Sequence, residues 1–188
     1  MAGWLQRPNL VLLLIAVCAV VAVAANYVYR QQRQQAAPES ASSVNTILGQ
    51  PRPGFVLPDA LGLSHDVRAW DGRVLVVNFW ATWCKPCVRE MPAFVDLQRQ
   101  YAEHGVQFVG IALDTLPQVE AFFSRLGLTL NYPSLIGGTN AIAVAEAYGN
   151  HIGILPYTVL VDRSGNIAYV QYGELTRDTA EQMILNLL

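Results

Sequence analysis

The chain has 188 residues, 53% of them hydrophobic and 14% charged, with 12 basic and 14 acidic residues for a net charge of −2. That length accommodates one domain plus an extension, and the apolar excess over an ordinary soluble domain lies mostly before residue 30. With Arg7 and Arg30 set aside, ten basic and 14 acidic residues remain in Gln31–Leu188, about −4, which argues against nucleic acid or an anionic membrane surface as the partner.

Met1–Asn9 is a short polar start containing Arg7 and Pro8. Leu10–Ala25 is continuously apolar, and Asn26-Tyr27-Val28-Tyr29 extends it to about 20 residues, the span of a bilayer with tyrosines at an interface. One membrane-anchoring helix within residues 1–30 is therefore expected. A cleaved signal peptide competes with it, because Ala22-Val23-Ala24 suits a signal peptidase and would release a secreted domain. A lipoprotein signal at Cys18 is disfavoured by Val17, which is larger than the small residue expected there. Arg7 lies on one side of the apolar run and Arg30 and Arg33 on the other, so the distribution of positive charge does not set the orientation. Residues 31–48 read as a flexible linker: Gln31–Thr46 is rich in Gln, Ala and Ser and poor in apolar side chains. A folded domain is expected over residues 49–188.

Pro51-Arg52-Pro53-Gly54 opens that domain. Phe55–Leu57 and Ser64–Val67 read as short strands around the turn-prone Pro58–Gly62. Asp71-Gly72 marks the turn into Val74–Phe79, a β-branched run apolar on both faces and hence a buried strand. Val88, Met91, Val95, Leu97 and Tyr101 carry helical spacing, with Pro92 inside the pattern as an expected kink and His104-Gly105 as the stop. Val106–Leu113 predicts a central, parallel strand. Pro117–Leu126 predicts a helix, Tyr132–Ile136 a short strand broken by Gly137-Gly138, and Asn140–Tyr148 another helix. Tyr157–Val161 and Ile167–Tyr172 around Ser164-Gly165 read as an antiparallel hairpin. Thr176–Leu188 is a terminal helix with Thr176 as its N-cap. This order predicts an α/β three-layer sandwich: a central mixed sheet, helices on both faces, and an inserted strand–helix unit.

The chemistry concentrates at Cys84 and Cys87. Cys84 falls where the strand Val74–Phe79 gives way to a helix. Unpaired N–H groups and the helix macrodipole stabilise a thiolate there, lowering its pKa from about 8.5. Lys85, the one lysine in the chain, adds positive charge. Pro86 suits a first helical turn. Cys87, about one turn on, can form a disulfide with Cys84 or resolve a mixed disulfide. A zinc half-site is the competing reading. It needs two further soft ligands, whereas Cys18 lies in the apolar N-terminal run and His65, His104 and His151 are scattered, so no metal site is expected. Nucleotide motifs are also lacking, and the expected redox centre is the Cys84–Cys87 pair itself.

Phe79-Trp80-Ala81-Thr82-Trp83-Cys84-Lys85-Pro86-Cys87 resembles a thioredoxin-fold active site. The continuation Arg89-Glu90-Met91-Pro92 resembles the TlpA-type branch, the ResA- and CcmG-like membrane-anchored thiol–disulfide oxidoreductases. The likeness runs from about Gly54 to the C-terminus and is densest at Val74–Pro92. It implies a thioredoxin-like fold outside the cytoplasm, tethered to a bacterial inner membrane or secreted to the periplasm, and expected to act as a monomer. It also implies that Leu155-Pro156 carries a cis-proline facing the disulfide and pairs with an extended substrate. The competing reading is an ordinary trans proline at a strand start, the common state of X–Pro bonds. Glu90 shares a helix face with Cys87. The resemblance implies an acidic residue here, and the expectation is that partial burial raises its pKa and that it relays a proton to or from Cys87; the alternative is a surface glutamate paired with Arg89 or a neighbour. Asn78 departs from classical thioredoxins, which carry a buried aspartate on this strand. Trp80 and Trp83 flank the site as packing residues, and Trp83 is also a candidate to cover the disulfide and form an apolar docking patch with Lys85 and Pro86. Asp114, at a strand end, reads as a helix cap.

The reaction expected from these residues is reduction of protein disulfides, with Cys84 attacking and Cys87 resolving, and the resemblance implies that a membrane thiol transporter recharges the dithiol. Cytochrome c maturation or copper-site assembly would supply the substrates. Two rivals remain: a Cu(I) metallochaperone, which a Met-rich segment or a nearby histidine would have favoured, and an oxidase that introduces disulfides. A peroxiredoxin is disfavoured because no threonine–cysteine peroxidatic signature precedes Cys84.

Overall fold

The computed structural model describes residues 8–35 and 47–188. They fall into two separate units, an N-terminal helix and an α/β domain. Helix α1 (Pro8–Gln35) has 28 residues, about 42 Å at 1.5 Å per residue. Its stretch Leu14–Gln31 is long and apolar enough to cross a membrane. The helix continues through Gln31–Gln35, the first residues of the expected linker, where glutamine and arginine are good helix formers. The remainder of that linker up to residue 46 lies outside the described residues.

Seven strands and four further α-helices make up the domain among the described residues. Strand β3 (Val74–Trp80) runs through the middle of a five-stranded sheet and is buried at every position. It pairs in parallel with β4 (Val106–Ala112), which pairs in parallel with the edge strand β5 (Ser134–Ile136). On its other side β3 pairs antiparallel with β6 (Tyr157–Val161), which forms a hairpin with β7 (Ile167–Tyr172). Burial on both faces explains why β3 is apolar at every position but Asn78 rather than alternating.

Alternate residues of β3 serve two cores. Leu75, Val77 and Phe79 pack with Ala141 and Ala145 of helix α4 (Thr139–Ala147) and with Tyr148. Val74 and Val76 pack with Phe94 and Leu97 of helix α2 (Lys85–Tyr101) and with Ala180 and Ile184 of helix α5 (Arg177–Leu185). At the strand's end Trp80 packs with Val119 and Phe122 of helix α3 (Leu116–Leu126). Helices therefore cover both sheet faces, as the element order predicts. Pro92 removes one N–H from the ladder of α2, yet the helix continues to Tyr101. A left-handed Gly105 (φ 83°) then turns the chain into β4.

A separate hairpin, β1 (Val56–Pro58) and β2 (Ser64–Asp66), precedes β3. Asp59 closes it by accepting from Leu61 N–H (2.8 Å) and Leu63 N–H (3.0 Å). Val67, expected in the second strand, instead opens a 3-10 turn, Val67–Trp70, capped by Asp66 and buried in the core. Both sheet edges are blunted by irregular chain. Gly49 N–H donates to Ile167 O and Ile167 N–H to Gln50 O along β7, and Asp59 bridges Leu135 of β5.

On the α2 face Phe94 is fully buried and packs against Phe108, with ring centroids 5.2 Å apart. Phe94→Ala should lower the unfolding free energy by about 3–5 kcal/mol, whereas Leu61→Ser on the exposed hairpin loop should change it by less than about 0.5 kcal/mol. Urea denaturation of the two oxidised variants measures both. Equal losses would contradict this placement of the core.

Candidate active site

Strand β3 ends at Trp80, and Ala81–Cys84 forms a turn closed by Cys84 N–H donating to Ala81 O at 3.1 Å. Helix α2 begins at Lys85 with Pro86 in its first turn, which makes Cys84 the N-cap residue. Its sulfur stands where a capping oxygen usually stands, and Cys87 N–H donates to Cys84 Sγ at 3.3 Å. Val88 N–H donates to Cys84 O at 3.2 Å. Unfilled donors and the dipole thus converge on one sulfur. Cys84 and Cys87 are joined as a disulfide, with Cα atoms 5.3 Å apart. Both cysteines pack into an apolar cluster with Trp80, Met91, Ala112 and Phe122, against which Leu155 also lies.

The other expected site residues divide by exposure. Trp83 is 68% exposed, so most of its indole faces solvent. Lys85 is exposed and Pro86 half-buried beside it. The Leu155–Pro156 peptide bond is cis, and Pro156 O accepts from Gly173 N–H at 2.9 Å. The loop before it is closed by Asn150, whose side chain accepts from Ile154 N–H (3.1 Å) and donates to Ile154 O (2.9 Å). That loop leaves Ile152 and Ile154 exposed. Gly149 begins it at φ 93°, in a place where a Cβ would lie 2.5 Å from Ile47 Cδ1. Cys18 is a free cysteine on α1. Among the described residues no group of three or more His, Cys, Asp or Glu side chains is arranged to hold a metal ion.

Glu90 is only 2% exposed, which removes the surface alternative; Arg89 pairs with Glu174 instead. Glu90 Oε1 accepts from Asn78 Nδ2 at 2.7 Å and Oε2 from Leu175 N–H at 2.9 Å. Asn78 Nδ2 also donates to Thr158 Oγ1 at 2.9 Å. Burial pushes the Glu90 carboxyl up to about 7, against the pull of its two hydrogen bonds. The hydrogen bond from Asn78 to Glu90 is not visible in the sequence, because it joins a strand to a helix 12 residues on. Asp114 was misjudged as a helix cap. Thr115 caps α3, its N–H donating to Gln118 Oε1 at 2.9 Å, and buried Asp114 Oδ2 accepts from Thr82 N–H at 2.5 Å.

This fold, with a dithiol at the N-terminus of the helix that leaves its central strand, defines a thiol–disulfide oxidoreductase. Residues 47–186 match the Redoxin family model. Thiol-disulfide oxidoreductase ResA of Geobacillus thermodenitrificans is 36% identical over 136 residues, 72% of this chain and 75% of that protein. ResA of Halalkalibacterium halodurans is 35% identical over 137 residues, 72% of this chain and 74% of the relative. Among solved structures, a thioredoxin-family thiol:disulfide interchange protein from Chlorobium tepidum aligns with a TM-score of 0.64 at 29% identity, covering 73% of this chain and 94% of the other. The chain belongs to the Redoxin family, and its enzymatic class is that of its ResA-like relatives.

Glu90 makes stability depend on pH. Its carboxyl titrates near 7 when folded, against an ordinary 4.5. Between those values the native state holds a proton that unfolding releases, so raising the pH from 4.5 to 7 should lower stability, by on the order of 3 kcal/mol. Denaturation midpoints of the oxidised protein across this range measure it, and Glu90→Gln should flatten the curve. An unaltered slope in the variant would show that another group titrates.

Proposed function

We propose that this chain is a membrane-anchored, extracytoplasmic reductant of protein disulfides. The observation that carries the reading is the N-cap placement of Cys84, with Cys87 N–H directed at its sulfur. The ResA relatives and the apolar α1 support it. In the reduced enzyme, Cys84 thiolate attacks one sulfur of a substrate disulfide and the other sulfur leaves as a thiolate. Cys87 then gives up its proton and attacks Cys84 sulfur, expelling the second substrate thiolate. The dithiol is oxidised by two electrons and the substrate disulfide is reduced by two. Glu90, one turn along α2 from Cys87, takes that proton as its carboxylate and returns it when the enzyme is recharged. A carboxyl near 7 suits both directions of transfer.

Substrate binding falls to the groups around the sulfurs. Trp83, Lys85 and Pro86 would form one side of the docking surface and Leu155 and Pro156 the other, where an extended chain would pair with the half-buried Leu155 backbone. The cargo is a protein dithiol or disulfide of the kind handled in cytochrome c or copper-site assembly. A membrane thiol transporter restores the dithiol, with the domain held on the periplasmic side of a bacterial inner membrane by α1.

Cys87→Ser should trap partners as mixed disulfides on Cys84, and Cys84→Ser should trap none. Mass spectrometry of the adducts reads this out, and equal trapping by both variants would overturn the assigned order. Equilibration with glutathione decides the direction. A reductant should lie near or below about −200 mV, whereas a value near −120 mV would make the protein an oxidant. In cells the full chain should sediment with membranes and its domain should be cleaved by protease added to spheroplasts. A soluble or protected domain would refute the anchor.

A further inference from the structure

The parallel register of β3 with β4 sets Trp80 opposite Ala112 at the strand ends. Leu113 N–H still donates to Trp80 O at 3.0 Å, so the two chains leave the sheet together. Two residues beyond each end, Asp114 Oδ2 accepts from Thr82 N–H at 2.5 Å. Thr82 is the second residue of the turn Ala81–Cys84, which delivers Cys84 to the start of α2.

Other uses for this carboxylate are absent or taken. Thr115 begins α3, held by Gln118, so Asp114 does not cap that helix. Among the described residues no cationic side chain pairs with it. At 5% exposed, an uncompensated carboxylate is unfavourable unless it accepts hydrogen bonds, and its bond goes to the nucleophile's own turn.

We propose that Asp114 is a positioning residue for thiol–disulfide exchange: it ties the Ala81–Cys84 turn to the end of β4 and so keeps Cys84 at the N-cap of α2. The stabilisation of a thiolate by helix donors fades within the first turn, so small displacements of the sulfur matter. Beyond Cys84 N–H to Ala81 O, the Asp114 bond is what holds the turn from the sheet side. The inference rests on Cys84 acting as nucleophile and is independent of whether the enzyme reduces or oxidises.

The test compares Asp114→Asn with Asp114→Ala in the full-length reduced protein. Both lack the charge, and only Asn keeps an acceptor for Thr82 N–H, so their difference isolates the hydrogen bond. Iodoacetamide modification of Cys84 is followed by mass spectrometry across pH, and turnover is followed by insulin reduction. The alkylation midpoint of Asp114→Ala should lie at higher pH than that of Asp114→Asn, with turnover at least about tenfold lower, and Asn should restore turnover to within about threefold of the parent protein. Coincident midpoints and turnover in the two variants would overturn the proposal. So would an alanine deficit that vanishes well below that variant's unfolding temperature, since Asp114 would then serve stability alone. If instead the parent protein itself shows no preferential alkylation of Cys84, the nucleophile assignment fails and not merely its positioning.

Discussion

Everything at the site follows from the position of β3. A strand buried on both faces and paired on both sides cannot shift in register without moving apolar side chains into water. Its end at Trp80 is therefore a fixed point. The chain that leaves it must return as a helix across the sheet, and four residues of turn bring Cys84 to the helix start. The reactive sulfur gains its donors from this topology. A helix N-terminus exposes N–H groups wherever it occurs, but only a start anchored to a rigid strand holds one particular atom against them.

The polar groups behind the sulfurs are organised around an amide rather than a second acid. Asn78 donates through one nitrogen to both Glu90 and Thr158, and Leu175 N–H fills the other Glu90 oxygen. These donors favour the carboxylate, while burial favours the acid, and the outcome lies near neutrality. An aspartate at position 78 would set two acids together and force one to stay protonated. The asparagine keeps one titrating group and directs it. It also links β3, β6, α2 and the entry to α5, so the protonation state of Glu90 is felt at the point where the C-terminal helix docks.

Periodicity and punctuation made most of the fold legible. The run Val74–Phe79, apolar but for Asn78, the spacing from Val88 to Tyr101, the hairpin around Ser164-Gly165 and the cap at Thr176 all have local causes, and all form as expected. The dithiol was legible because its chemistry is encoded over four residues. Contacts between distant residues were not. Thr82 and Asp114 are 32 positions apart, and Glu90 and Leu175 are 85 apart. Their meeting depends on the parallel register and on helix docking, which no local pattern reports. Val67 shows the same limit on a smaller scale. Its β-branched side chain suits a strand, but Asp66 caps a 3-10 turn there and the side chain serves the core from that turn instead.

Exposure separates the two sulfurs by role. Both lie in the apolar cluster, yet Cys87 is fully buried while Cys84 retains a small opening at the helix start. This difference supports the proposed order of attack, in which Cys84 meets the substrate disulfide first. Once a mixed disulfide has formed, Cys87 is already one turn away on the same helix, so resolution requires no search. Burial also shields Cys87 from reagents in solvent, which favours the proposed order. Trp83 before Cys84 and Ile152 and Ile154 before Leu155 are left in solvent, in two loops whose ends pack in this cluster. Their cost as isolated surface residues is small, and a substrate docking beside Cys84 as proposed would bury them.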